Sequence, residues 1–181
     1  MSTLRNRPAT VLLALALAVA ALAGCGRSDA AVDPVAGKKV KVLDLASLPS
    51  EILGLAVQKE DVAGSVAKVN STFIDGLGLW SLRTISSSED GGGLVQATLQ
   101  ISRFSEGARF DESEFRQSVV NQIGSARPRT FRLGTRTVYL TTGTKQSIAV
   151  WFKGRYLFVL ASRSDYDEPR TLLRKALEIK P

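Results

Sequence analysis

The sequence predicts an α+β fold: an antiparallel sheet of about six strands with two to three helices packed on it, either all on one face or as an α/β/α sandwich. Three observations carry this. Apolar segments at 130–141, 146–153 and 155–162 are separated by glycine-bearing turns, as successive strands require. Apolar residues recur with helical spacing at Phe115, Val119, Val120 and Ile123, and again at Leu172, Leu173, Ala176 and Leu177. The connections between these segments are too short for parallel crossovers, so neighbouring strands should run antiparallel.

Taken in order, KVKVLDL suggests a first strand over 39–45, with Val40, Val42 and Asp44 on one side. Leu48-Pro49-Ser50 breaks it, and 52–58 reads as a second short strand. EDVAGSVAKV, residues 60–69, places Val62, Val66 and Val69 at helical spacing with acids at the start, where they suit the helix dipole. Two long strands, 72–85 and 94–104, are joined by the hairpin loop SSSEDGGG. Asp111 to Glu114 has the form of a capping box for the helix that Gly124 ends. The three-stranded meander follows, its tightest turn at Lys153-Gly154, and Asp165 or Asp167 caps a last helix with Pro169 in its first turn. No internal repeat or second domain is visible, and residues 39–181 form one globular unit.

The first 24 residues do something else. MSTLRNRPAT carries Arg5 and Arg7 and no acid, and VLLALALAVAALA, residues 11–23, has no polar side chain. This is the charged and apolar layout of an export signal. Thirteen helical residues rise only ~20 Å, short of the ~30 Å hydrocarbon core, so a permanent span is disfavoured. Leu22-Ala23-Gly24-Cys25 then resembles the lipobox of bacterial lipoproteins at every position. The resemblance implies cleavage before Cys25, a diacylglyceryl group on its thiol, and a freed amine open to acylation. The alternative is an ordinary secretory signal with an incidental cysteine. Arg5-Asn6-Arg7 is no twin-arginine pair, which favours the general secretion route, and Gly26 in place of Asp directs such a lipoprotein to the outer membrane where a cell has two. In a one-membrane cell it would stay on the outer face of the plasma membrane. Residues 25–38 are the lipidated end and a Gly/Ser/Asp/Pro-bearing tether. Lys38, Lys39 and Lys41 at its end suit either anionic lipid or a solvated strand edge.

Residues 1–24 hold two of the 24 basic and none of the 17 acidic residues, so their removal lowers the formal charge from +7 to +5. Cys25 is the one cysteine, so the domain is stabilised by packing without a disulfide. There is no histidine, which excludes a Ser-His-Asp triad, a Cys-His pair and the usual Cys/His zinc site. We expect no cofactor, no metal and no enzymatic activity. Ser65-Val66-Ala67-Lys68 resembles the S-x-x-K motif of penicillin-interacting serine enzymes, and Ser164-Asp165-Tyr166 echoes their second motif. Their Lys-Thr-Gly element is missing, because 142–145 read Thr-Gly-Thr-Lys. Gly76-Leu77-Gly78 has no third glycine for a dinucleotide loop and instead marks a bulge or a close backbone approach. Asp75 beside it is either a bulge residue or a carboxylate of raised pKa.

The order of elements is similar to the PsbP/Mog1-like α/β/α sandwich, a fold found in exported lipoproteins, with a cystatin-like sheet as the alternative. That resemblance implies a non-catalytic accessory or assembly factor. The feature that best supports binding is charge segregation. From Phe115 to Ser164 there is no acid, while Arg116, Arg127, Arg129, Arg132, Arg136, Lys145, Lys153, Arg155 and Arg163 supply cations. Read as one strand, 130–141 puts Arg132 and Arg136 on one face and Phe131, Leu133, Thr135 and Thr137 on the other. Arg127, Arg129, Arg132 and Arg136 are thus the candidate partner-binding residues, for an anionic envelope polymer, anionic lipid or an acidic protein and not for nucleic acid. Solubilising charge on half-buried strands is the competing explanation. Trp80, Trp151, Tyr139, Tyr156 and Phe158 are expected mainly to pack, with one or two lining a groove if the protein carries an amphiphilic small molecule.

Overall fold

A computed structural model describes residues 40–62, 74–85, 93–106, 113–123 and 127–181. The export signal, Cys25, the tether, Ser65, Lys68 and most of the helix expected over 60–69 lie outside the described residues. The described elements are β1 (Lys41–Val42), β2 (Glu51–Ile52), β3 (Leu55–Lys59), β4 (Ile74–Thr84), β5 (Val95–Phe104), α1 (Ser113–Ile123), β6 (Arg129–Leu133), β7 (Arg136–Thr142), β8 (Gln146–Lys153), β9 (Tyr156–Arg163) and α2 (Pro169–Glu178). The strands form one open sheet in the order β2-β3-β4-β5-β9-β8-β7-β6. Every pairing along that path is antiparallel; β1 pairs parallel with β4 at Lys41–Gly76 and Val42–Leu77. The fold is a sheet-rich α+β, with more strands than the six expected.

The central strands are apolar on both faces. In β9 the buried residues run unbroken from Leu157 to Ser162, and a strand of this kind must be covered on both sides. Phe158 and Leu160 join Trp80, Leu82, Leu99, Ile101 and Trp151 in one cluster, against Leu172, Leu173, Ala176 and Leu177 of α2. The rings of Trp151 and Phe158 stack there, with centroids 5.1 Å apart. Leu157 and Val159 join Ile74, Leu77, Phe104 and Val150 on the opposite face, against Val119 and Val120 of α1. Phe115 of α1 meets Phe104 edge-on at 5.4 Å. The helices therefore sit one on each face, the second of the two arrangements expected, and do not share one. Three buried leucines at about 2 kcal/mol each outweigh any intrinsic preference of a ten-residue helix, so α2 is held by docking.

Two segments read as single strands are hairpins. Leu133 pairs with Arg136 across the two-residue loop Gly134-Thr135, where only Gly134 has positive φ, +59°, the pattern of a type II′ turn. Ile52 pairs with Leu55 across the two-residue loop Leu53-Gly54, where both residues have positive φ, +51° and +73°, the pattern of a type I′ turn. The strand expected over 39–45 shrinks to two residues, because Val40 and Leu43 turn inward while Val42 is 47% exposed. The long strands, the meander from 146 onward and both helices lie within about two residues of their expected positions. Neither Asp165 nor Asp167 caps α2. Its N-cap position is Glu168, with no side-chain cap, and Asp165 is engaged by Arg163.

Gly76 and Gly78 are a place of close approach and a bulge, as their sequence suggests. The register of β4 on β5 shifts between Ile74 and Gly76. A Cβ at Gly78 would lie 2.7 Å from Cζ3 of Trp80 and collide with Cη2. Gly78→Ala is expected to cost about 2 kcal/mol by overpacking and lower the thermal midpoint by roughly 5 °C, read by circular dichroism. Leu53 provides the converse case. It holds φ +51° and is 38% exposed, so a bulky side chain occupies left-handed backbone with only partial burial in return. Leu53→Asn is expected to stabilise by about 1 kcal/mol, raising the urea midpoint at unchanged slope.

Candidate functional site

The cations of the acid-free stretch divide into two groups. Some are used internally. The guanidinium of Arg155 donates to Oδ2 of Asp75 at 3.2 Å, to Oε1 of Glu106 at 3.1 Å and to the Phe104 carbonyl at 2.7 Å. Arg163 pairs with Asp165, Nε donating at 2.8 Å and Nη2 closer still. Arg116 lies over the ring of Phe152 at 5.3 Å. Lys153 donates to the Ile179 carbonyl at 3.1 Å, tying β8 to the end of α2. Burial first, then the nearby charges of Arg136 and Lys180, hold this ammonium below its ordinary pKa.

Arg127, Arg129, Arg132 and Arg136 have no carboxylate partner among the described residues. All four lie at the β6–β7 end of the sheet. The hairpin at Gly134-Thr135 does not leave them on one face. Residues directly opposite one another share a face, and the pairs Arg129–Leu140, Phe131–Val138 and Leu133–Arg136 all point toward α2, while Arg132–Thr137 points away. The shared face expected for Arg132 and Arg136 is thus overturned, because a two-residue loop reverses the alternation that a continuous strand would keep. Arg136 is partly buried, its Nη1 without a hydrogen-bond partner among the described residues. Arg127 precedes β6 and is exposed.

Arg129 instead opens onto a groove between α2 and the sheet, of about 530 Å³. Phe131, Leu133, Leu140, Ala149, Leu160 and Leu173 make its apolar lining, and Thr142, Ser147 and Ser162 add hydroxyls. Its rim holds Arg129 with Arg170 and Arg174 of α2, and among the described residues no carboxylate contributes to the wall. Phe131, Leu133 and Leu140 are only partly buried and pack against the main cluster, so their free surface forms the floor. Sequence reading missed Arg170 and Arg174. The available signal was their i,i+4 spacing beside the inward Leu173, which puts both on one edge of an amphipathic helix. None of the five aromatics expected to pack or line a groove lines this one. Trp80, Trp151 and Phe158 are core, and Tyr139 and Tyr156 pack half-buried against it.

A second groove, of about 490 Å³, lies at the other end of α2 and mixes charges, Glu51 and Glu178 with Lys175 and Lys180. At one end of the central strands β4, β5 and β9, Asp75 sits between Arg103 and Arg155, bonded to both. It is a bulge residue in an ion-pair cluster, and its hydrogen bond raises the pKa of Arg103. Ser164, from the echo of a second catalytic motif, donates its hydroxyl to the Thr144 carbonyl at 2.8 Å and pins the β7–β8 turn. Among the described residues no three carboxylates gather into a metal-ligand set. No family model, curated protein or solved structure matches the chain.

The Asp75 cluster yields a stability test. Each of its three side chains is less than a third exposed, so screening is incomplete and a charge-assisted bond retains about 1 kcal/mol. A double-mutant cycle of Asp75→Asn with Arg103→Met is expected to show a coupling of that size in urea unfolding. Additive costs would show the pair to be idle.

Proposed function

We propose that the chain is a lipoprotein held on the extracytoplasmic side of a membrane by lipid on Cys25, and that residues 39–181 are a non-enzymatic binding module of the cell envelope. The lipobox resemblance and the apolar run before it support the anchor. One acyl chain binds a membrane marginally and two or more hold it, so a modified Cys25 suffices for attachment. The observation that carries the binding reading is the collection of arginines without carboxylate partners at one end of the sheet, Arg127, Arg129, Arg132 and Arg136 joined by Arg170 and Arg174 of α2. A net positive field from such a corner reaches about one Debye length, ~8 Å at physiological salt, and draws anionic polymer, anionic lipid or an acidic protein surface. The PsbP-like order of elements, with a helix on each sheet face, fits an accessory factor of this kind.

A second reading, a carrier for a lipid-like molecule, is favoured by the groove itself. It combines an apolar floor with a cationic rim, which a purely solubilising charge pattern does not require.

Cys25→Ser is expected to leave the precursor uncut or release the protein to the medium, seen by fractionation and by mass spectrometry of the N-terminus. Arg129→Glu with Arg132→Glu, in the otherwise intact lipoprotein, is expected to reduce recovery of co-purifying envelope components at least tenfold. Full recovery of the same components would remove this corner from the account.

A further inference from the structure

We propose that the groove between α2 and the β6–β9 half of the sheet is a binding site for an anionic single-chain amphiphile, its oxyanion head held by Arg129, Arg170 and Arg174 and its tail laid on Phe131, Leu133 and Leu160. The proposal deepens the binding-module reading and rests on it.

α2 runs along β8, from the Ser147 end to Lys153, and a helix with its side chains is about 10–12 Å across, whereas eight strands at ~4.8 Å spacing make a sheet over 30 Å wide. α2 covers the centre of its face and leaves the β6–β7 side partly bare, so Phe131, Leu133 and Leu140 are half-buried rather than enclosed. The space left, about 530 Å³, lies within the roughly 300–1,000 Å³ of small-molecule sites.

Charge then selects the occupant. Three guanidinium groups rim the groove, no carboxylate lines it, and none of the three is ion-paired among the described residues. The same wall includes Pro169, the first residue of α2, so the groove lies along the first turns of that helix, where Asp167 and Glu168 offset the positive end of its dipole and leave the guanidinium groups as the attraction for an anion. A neutral lipid would leave these donors unused. A bare oxyanion would leave the apolar floor wet. An amphiphile with a carboxylate or phosphate monoester head satisfies both. The neighbouring groove, with Glu51 and Glu178 in its wall, would repel such a head.

The test uses the lipidated protein reconstituted in nanodiscs of neutral phosphatidylcholine. Three diazirine-tagged twelve-carbon probes are compared: dodecanoate, dodecyl phosphate and dodecanol. Crosslinked peptides are identified by mass spectrometry. One or both anionic probes are expected to label residues 129–142 and 169–174 at least tenfold more than dodecanol; which of the two does so identifies the head. Arg170→Gln and Arg174→Gln, exposed substitutions whose folding is checked by thermal unfolding, are expected to lower labelling about fivefold each. Equal labelling by dodecanol, labelling indifferent to both substitutions, or no labelling of these peptides would overturn the proposal. So would displacement of the anionic probes by equimolar inorganic phosphate, which would make the site one for a free oxyanion. Failure here, with arginine-dependent recovery of envelope components intact, would refute the amphiphile and leave the binding module standing.

Discussion

Burial on both faces of the central strands is the constraint from which the rest of this structure follows. β4, β5, β9 and β8 present large apolar side chains in both directions, and neither face can be left to water at about 25 cal/mol per Å². One helix on one side would strand half the core. The chain meets the requirement with α1 against Phe104, Leu157 and Val150 and with α2 against Trp151, Phe158 and Leu160. With a single cysteine in the chain, no internal disulfide closes the domain, and its stability rests on this packing.

The two covers are narrow relative to what they cover, and the site arises from that mismatch. Where α2 stops, the sheet continues into β7 and β6, whose side chains facing α2 alternate between core and rim. β6 is also an exposed edge, and arginine at Arg129 and Arg132 discourages another strand from pairing there. Edge protection accounts for a charge at each position. It does not account for a wall in which Arg129, Arg170 and Arg174 converge from two distant segments on apolar residues without an acid among them. Elsewhere the fold neutralises its cations: Arg155 and Arg103 on Asp75, Arg163 on Asp165, Arg83 on Glu60.

Much of the fold was legible because its signals are local. The apolar face of α1, the inward leucines of α2 and the long strands 74–84 and 95–104 each announce themselves within about ten residues. The 130–141 segment misled for a physical reason. RTFRLGTRTVYL invites reading as one alternating strand, yet its inward apolar residues change phase from Phe131 and Leu133 to Val138 and Leu140, and Gly134 marks where the chain reverses. A two-residue hairpin keeps Leu133 and Arg136 on one face, where a straight strand would separate them. The helix faces could not be assigned either, since a sheet buried on both sides accepts an amphipathic helix on either one. The groove was beyond local reading altogether, because it joins Arg129 to Arg170 and Arg174 across forty residues and exists only once α2 has docked.

Native-state amide hydrogen exchange on the full chain tests the two-faced sheet most directly. If both covers are docked as described, amides of β5 and β9 open only with the whole domain and exchange at least ~10³-fold slower than those of the edge strand β6. The residues of α2 facing Trp151 and Leu160 should slow with them. Exchange in β9 as fast as in β6 would mean that one face of the sheet is open to water, and the account built on its closure would be wrong.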